Sequence, residues 1–342
     1  MRNITARRNR REFLELLSAG AMALAGTREA VSAESKPMRG LFPIGSSPFT
    51  DANQLDLECL AAQVKFLNRG GVHGVIWPQI ASEWTTLSKT ERLDGAAAMI
   101  AAGRGGKTAI IIGVQGPDIA AVLEYAKNAE KIGADGVCSL PPSGVTDDAA
   151  LLDYYKQLGS ATGLPLFVQS QPFPMSIELI ARMYKEIPTF RQIKDEAGDT
   201  LTRITEIRKA TDDGVKVFTG NGVRTMINEL MAGAQGFCPY TEVADLYAQA
   251  FDLWVAGKRT EACDMFGRVL LLGSVTQAAG APQKYVLVAR GVFKNTRSRT
   301  GGGAAGGGAR AGGGGRGARP FTADGEKAIR NALDLLKPYL KG

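Results

Sequence analysis

T-A-I-I-I-G-V at residues 108–114 and G-V-C-S-L at residues 136–140 are short apolar runs of the kind that form buried strands. Between them, residues 119–132 repeat apolar side chains such as Val122 and Ala126 at the spacing of one helix face. A strand, a helix and a second strand in this order predict two parallel strands joined by a crossover helix. This unit decides the fold because the body of the chain repeats it.

The same alternation extends well beyond these residues. Apolar runs that each precede a helical pattern lie at residues 40–49, 72–77, 108–114, 136–140, 165–168, 190–194, 215–219 and 236–240. Eight such units predict an α/β fold, a (β/α)8 TIM barrel of about 250 residues, which we assign to residues 39–257. An open, doubly wound sheet is the alternative, but it usually begins with a glycine-rich phosphate turn, and G-S-S-P at residues 45–48 is not one. Residues 258–342 are predicted to add C-terminal helices.

Composition narrows the chemistry that the barrel can perform. The 342 residues include one His and four Cys, and no two Cys form a C-x-x-C pair. Zinc sites need several such ligands, so we predict no metal site. The net charge of +7 is concentrated in residues 1–33 and 294–319, outside the strand–helix units. A DNA-reading domain would carry its positive charge on the fold itself, so we predict no nucleic-acid partner.

The N-terminus has the pattern of an export signal. R-R-E-F-L at residues 10–14 precedes a weakly apolar stretch at 16–26 and V-S-A at 31–33, which is typical of a cleavage site. This order resembles a twin-arginine signal peptide over residues 1–33 and predicts a periplasmic or otherwise exported protein. The apolar stretch is shorter than the roughly 20 residues that cross a bilayer, so no stable membrane insertion is expected after signal removal. The alternative is an amphipathic first helix of the domain.

A second unusual segment lies near the C-terminus. Residues 300–318 are mainly glycine and alanine with a few arginines, and they contain no apolar side chain larger than alanine. Such a segment cannot offset the entropy lost on ordering, so we predict a disordered surface insertion. The alternative is that its arginines contact RNA or an anionic surface.

Lys194 is the strongest candidate for chemistry. It ends the run F-R-Q-I-K, and the residues that act in TIM barrels collect where the strands end. Partial desolvation in the barrel mouth is expected to lower the pKa of this lysine and to yield a neutral amine that attacks a ketone. The resulting imine withdraws electrons from the neighbouring carbon, as in class I aldolases. The alternative is a structural lysine that pairs with Asp195, Glu196 or another strand end.

Several segments resemble the dihydrodipicolinate synthase and N-acetylneuraminate lyase superfamily. They are F-P-I-G-S-S-P-F-T at 42–50, G-V-I-W at 74–77, S-E-W-T-T-L-S at 82–88, I-K-D-E-A-G-D at 193–199, F-T-G-N-G at 218–222, G-A-Q-G-F at 233–237 and R-P-F-T at 319–322. The resemblance implies a class I aldolase barrel in which Lys194 forms a Schiff base with pyruvate or another 2-oxo acid. It also implies a lyase or aldolase that works without a cofactor, as a homotetramer or homodimer.

The same resemblance locates the rest of the site and the positions where this chain differs. The family's G-T-T-G-E turn is replaced by Q-I-A-S-E at 79–83, and Ser143 stands where the family has a proton-relaying tyrosine. Backbone N–H groups of Ala81 and Ser82 are expected to bind the substrate carboxylate. The other candidate substrate-binding residues are Ser47, Gln169, Cys238 and Tyr240. Because the usual hydroxyl groups are absent, the alternative function is a barrel that binds a small carboxylate without turnover.

Overall fold

Each of the eight apolar runs contributes a strand. The computed structural model describes residues 36, 38–171, 175–282, 284–300 and 321–341. Its strands are β1 (Gly40–Leu41), β2 (Gly74–Trp77), β3 (Ala109–Gly113), β4 (Gly136–Ser139), β5 (Leu166–Ser170), β6 (Phe190–Asp195), β7 (Lys216–Thr219) and β8 (Gly236–Phe237). They pair in parallel in the order β1-β8-β7-β6-β5-β4-β3-β2. Ile44 completes the barrel, because it bridges to Tyr240 beyond β8 on one side and to Ile76 of β2 on the other. The predicted (β/α)8 TIM barrel is confirmed.

Helices occupy the connections that the periodicity predicted. They are α1 (Leu57–Arg69), α2 (Lys89–Gly103), α3 (Ile119–Ile132), α4 (Asp148–Ala161), α5 (Ile177–Glu186), α6 (Thr200–Ala210), α7 (Met226–Ala232) and α8 (Ala244–Val255). The first six begin after an Asp or Ser whose side chain accepts a hydrogen bond from the backbone N–H three residues later, namely Asp56, Ser88, Asp118, Asp147, Ser176 and Asp199. These caps set where each helix begins, and so how much loop is left at the barrel mouth.

A cluster of buried side chains occupies the barrel interior. Phe218 lies in this inner cluster, with ring-centroid distances of 5.3 Å to Phe42 and 4.7 Å to Phe167. A larger cluster lies between the strands and the helices, and Ile193 of β6 belongs to it. Since strand side chains alternate between faces, the neighbours of Ile193 in β6, including Lys194, point into the barrel.

After the eighth unit the described residues form the α-helices α9 (Arg259–Ala279), α10 (Tyr285–Ala289) and α11 (Ala323–Leu336). A buried ion pair attaches this region to the barrel: Arg290 donates to both carboxylate oxygens of Asp245 in α8, at 2.8 and 2.7 Å. The backbone N–H of Lys341 donates to the same carboxylate at 2.9 Å. The C-terminal helices therefore pack directly on the barrel wall.

The N-terminal segment and the glycine-rich segment lie outside the described residues. These are residues 1–35 and 301–320, so the twin-arginine signal and the disordered insertion stay predictions. Among the helices that the structure describes, none has both the length and the apolar character that crossing a membrane requires.

Candidate active site

Lys194 lies inside the barrel at the carboxyl end of β6. Its side chain is buried, with 6% of its surface exposed, and its strand neighbours are Gln169 on β5 and Phe218 on β7. The Lys194 Nζ lies 3.0 Å from Oε2 of Glu196. Asp195 points the other way and pairs with Arg203, with 2.6 Å between Nη2 and Oδ2. Of the partners that the sequence left open, Glu196 is the one that faces the lysine.

The charge state of Lys194 differs from the sequence-based expectation. Burial by itself would lower the pKa of the Lys194 ammonium, but the charge and hydrogen bond of Glu196 outweigh burial and raise the pKa above its ordinary value. The expected lowering of the pKa was wrong for this resting structure, because it considered desolvation without a buried counter-charge. Lys194 therefore rests as an ammonium ion in contact with a carboxylate.

Glu196 is held by donors on both of its oxygens. Gln171 Nε2 donates to Oε2 at 2.7 Å, and the backbone N–H of Asn221 donates to Oε1 at 2.7 Å. Gly220 makes room for this arrangement, because a Cβ built there would lie 1.8 Å from Glu196 Oε1 and 2.8 Å from Lys194 Cε. Glu196 was not among the predicted site residues, although alternation along the strand places residues 194 and 196 on the same face.

The wall next to Lys194 is apolar and contains two thiols. Cys238, predicted to contact substrate, is buried in the inner cluster together with Cys138. Burial raises the pKa of Cys238 to about 12 and that of Cys138 further, so both thiols are neutral near pH 7. Among the described residues, no three His, Cys, Asp or Glu side chains are grouped so that they could hold a metal ion.

Ser47 and Ser82 connect the loops that follow β1 and β2. Ser47 Oγ donates to the Ser82 carbonyl at 2.6 Å and accepts from Trp77 Nε1 at 2.9 Å. Ser82 Oγ donates to the Gly45 carbonyl at 2.5 Å, and the Ser82 backbone N–H donates to the Gln79 carbonyl at 2.9 Å. The N–H of Ser82 is thus used inside its own turn, while Ala81 packs against the inner cluster at the mouth.

Gln169 and Tyr240 complete the set of predicted residues. Gln169 is buried beside Lys194, and its Oε1 has no hydrogen-bond partner within the described part of the chain. Burial raises the pKa of Tyr240, and the carboxylates of Glu242 and Glu196 act in the same direction. The Tyr240 hydroxyl therefore stays protonated across the physiological range.

Glu83 fastens the C-terminal segment over the β2–α2 loop. Its backbone has a left-handed φ of 58°, and its Oε1 lies 2.7 Å from the Nζ of the buried Lys284. Its Oε2 accepts from Ser298 Oγ at 2.8 Å and from the backbone N–H groups of Arg299 and Thr300 at 2.7 and 3.0 Å. Glu83 thus holds loops together, and its carboxylate is not presented to the barrel interior as a proton-transfer group.

Comparisons with known proteins agree with this arrangement. The model of the dihydrodipicolinate synthetase family matches residues 37–300. An uncharacterized DapA-like lyase of Pyrococcus horikoshii is 25% identical over 269 residues, which cover 74% of this chain and 91% of the relative. The L-2-keto-3-deoxyarabonate dehydratase of Azospirillum brasilense is 25% identical over 232 residues, covering 66% of this chain and 75% of the relative. The dihydrodipicolinate synthase structure from Rhodopseudomonas palustris shares the fold, with a TM-score of 0.73 and 24% identity over 86% of this chain and 97% of that one.

Proposed function

The chain belongs to the dihydrodipicolinate synthetase family, and we propose that it is a lyase that forms a Schiff base between Lys194 and pyruvate or another 2-oxo acid. The observation that carries the proposal is a lysine buried in the barrel mouth at the end of β6, beside a carboxylate that can take its proton. The names of the relatives, a DapA-like lyase and a 2-keto-3-deoxy sugar acid dehydratase, support a carbon–carbon or carbon–oxygen lyase.

The chemistry follows from an amine buried at the end of β6. The Lys194 amine attacks the C2 carbonyl of the 2-oxo acid, and loss of water leaves a protonated imine. The imine draws electrons from C3, so C3 can lose a proton, or the bond from C3 to C4 can break. Aldol cleavage, condensation and dehydration all proceed through this intermediate, and no metal takes part in any of the steps.

We propose that residues around the barrel mouth contact the substrate. Gln169, whose buried amide oxygen is unsatisfied in the described structure, lies beside the position of the imine. Ala81, Tyr240 and Cys238 lie around the same opening, and we keep the loop of Ala81 and Ser82 as the place of the substrate carboxylate. The Ser82 N–H would have to leave its turn with Gln79 to contribute, so Ala81 supplies the simpler contact.

The raised pKa of Lys194 also supports a second candidate function, the binding of a carboxylate without turnover. A lysine held as an ammonium ion by Glu196 binds carboxylates without attacking them, as expected of a barrel that recognises a small carboxylate without turnover. The two functions differ in whether a covalent adduct forms.

Reductive trapping tests the proposal. The protein is incubated with a panel of 2-oxo acids and borohydride, and the modified peptide is identified by mass spectrometry. We expect an adduct on Lys194 that is lost in Lys194→Ala. Lys216→Ala is the matched control, because burial and Arg39 lower the pKa of Lys216, yet this lysine lies at the start of β7, away from the mouth. Thermal stabilisation by a 2-oxo acid without any adduct would instead support the binding protein.

Export and assembly are further parts of the proposal. The pattern of residues 1–33 supports twin-arginine export to the periplasm, which a reporter fusion carrying Arg10→Lys and Arg11→Lys would test by loss of transport. The family resemblance supports a homotetramer or homodimer, and light scattering after size-exclusion chromatography gives the subunit number directly.

A further inference from the structure

We propose that Glu196 is the acid/base residue of this site: it takes the proton of Lys194 and then moves the C3 proton of the bound 2-oxo acid. This inference rests on the proposed Schiff-base function. Its basis is the 3.0 Å contact between Lys194 Nζ and Glu196 Oε2, with both side chains buried on the inner face. The donors Gln171 and Asn221 hold one carboxylate oxygen each, so Glu196 is oriented beside the amine.

Other ionisable groups near the lysine are poorly suited to this task. Cys138, Cys238 and Tyr240 are kept protonated by burial, which raises the pKa of each. Glu229 is buried on α7, where Thr219 Oγ1 and Thr225 Oγ1 donate to its two oxygens at 2.8 and 3.1 Å, and burial raises its pKa. The position that the family fills with a tyrosine holds Ser143, whose hydroxyl has no useful pKa near neutrality.

An ammonium ion has no free electron pair with which to attack a carbonyl group, and the ion pair with Glu196 provides an acceptor for its proton. The proton moves from Nζ to Oε2 within the existing hydrogen bond, and the freed electron pair of Nζ forms the bond to C2. Attack leaves an oxyanion on C2 and a positively charged Nζ with two protons, one of which passes to the oxyanion to give the carbinolamine hydroxyl. Glu196 returns the first proton to this hydroxyl, the C2–O bond breaks as the nitrogen electron pair forms the C=N bond, and water leaves. The products are a protonated imine and a Glu196 carboxylate, so the total charge of the pair and the number of protons are conserved.

The regenerated carboxylate is then placed for the next step. It removes a proton from C3, and the electron pair of the C3–H bond forms the C2=C3 double bond of an enamine. Where the substrate carries a hydroxyl group on C4, the Glu196 acid can give this proton to it, and the hydroxyl leaves as water. One residue therefore serves both halves of a dehydration, which favours 3-deoxy-4-hydroxy-2-oxo acids as the substrate class.

Exchange of the methyl protons of pyruvate in D2O, followed by NMR, separates these steps. Wild type should both form the borohydride-trapped adduct and exchange the methyl protons. Glu196→Gln should still be trapped on Lys194. Its exchange of the methyl protons should be at least about 100-fold slower than that of wild type, since general acid/base groups contribute at least that much. Glu196→Asp should keep part of the exchange, and Glu206→Gln, an exposed carboxylate on α6, should match wild type.

The pH dependence of trapping gives a readout that a merely structural role would leave unchanged. Without Glu196, burial becomes the dominant influence on Lys194, so its pKa should fall below the ordinary value and trapping should begin at lower pH. Exchange by Glu196→Gln at the wild-type rate, or an unmoved trapping profile, overturns the role of Glu196. If wild type itself is trapped by no 2-oxo acid, the Schiff-base function fails, and this inference fails with it.

Discussion

Glu83→Ala should destabilise the protein far more than the loss of an ordinary surface carboxylate. Glu83 and Lys284 are 8% and 3% exposed, and their ion pair joins the β2–α2 loop to the segment after α9. The substitution leaves the Lys284 ammonium buried beside the ring of Phe49, with the carbonyl of Arg297 as its remaining hydrogen-bond acceptor. It also removes the acceptor of the Arg299 backbone N–H and one of the two acceptors of the Thr300 N–H, which also donates to Ser298 Oγ.

The expected magnitude follows from this burial. Removing one partner of a buried ion pair costs about 3–5 kcal/mol, because the remaining charge is desolvated and uncompensated. The released donors at Arg299 and Thr300 lie nearer the surface and can bind water, so we add nothing for them. For a domain of roughly 300 residues, whose unfolding entropy is about 0.6 kcal/mol/K, the loss corresponds to a fall in Tm of about 5–8 °C.

Urea denaturation followed by tryptophan fluorescence measures the change in the free energy of unfolding. Glu124→Ala is the matched control, since its partner Lys89 is 57% exposed and the pair is solvated. The double variant Glu83→Met with Lys284→Met should recover part of the loss, because no buried charge is left unpaired. A loss for Glu83→Ala as small as that for Glu124→Ala would refute the reasoning.

Three further predictions concern other charges and one glycine. The hydrogen bond from Arg299 lowers the pKa of Glu91 from 4.5 to about 2, so the stability that Glu91 contributes is present above pH 4.5 and lost toward pH 2. In acid unfolding, the free energy of unfolding of Glu91→Gln should therefore fall less steeply with decreasing pH than that of wild type. Burial raises the pKa of Glu242 to about 7, so the stability linked to its protonation is present below pH 4.5 and lost as the pH rises through 7. Glu242→Gln should therefore raise Tm more at pH 8 than at pH 5. Gly220→Ala should displace the Glu196 carboxylate and so slow the exchange of the pyruvate methyl protons while Lys194 is still trapped, whereas Gly267→Ala, where the new Cβ meets nothing within 4 Å, should exchange at the wild-type rate.

The architecture was predictable because hydrophobic periodicity and the packing of layers depend on local sequence. A run such as residues 109–114 has no polar side chain, so it suits a strand covered on both faces, and the structure buries every residue of Ala109–Gly113. The first strand was predicted over residues 40–49, but β1 ends at Leu41. Pro43 lacks an N–H, and the chain beyond it contacts its neighbours through the single bridging residue Ile44.

The site was less predictable, because its electrostatics depend on side chains brought together from different loops. Ser47 and the backbone N–H of Ser82 were predicted to contact substrate, yet the Ser47 hydroxyl donates to the Ser82 carbonyl and the Ser82 N–H donates to the Gln79 carbonyl. The donors to Glu196 come from Gln171 and from the backbone of Asn221, and neither is close to it in sequence. The same holds for the pKa of Lys194. The sequence indicated that the side chain would be desolvated, but it did not indicate that a fixed carboxylate would oppose the effect of desolvation on the pKa.

One part of this geometry was nevertheless contained in the motif itself. In I-K-D-E the strand alternates, so a lysine that faces the interior places the next residue on the outer face and the one after it on the inner face. Asp195 accordingly meets Arg203 outside, and Glu196 meets Lys194 inside. Had Glu196 been an alanine or a serine, the buried ammonium would have had no counter-charge, and burial would have lowered its pKa as first expected. With Glu196 present, the amine therefore becomes reactive by passing a proton to the carboxylate across one hydrogen bond. Without Glu196, burial alone would keep the amine uncharged.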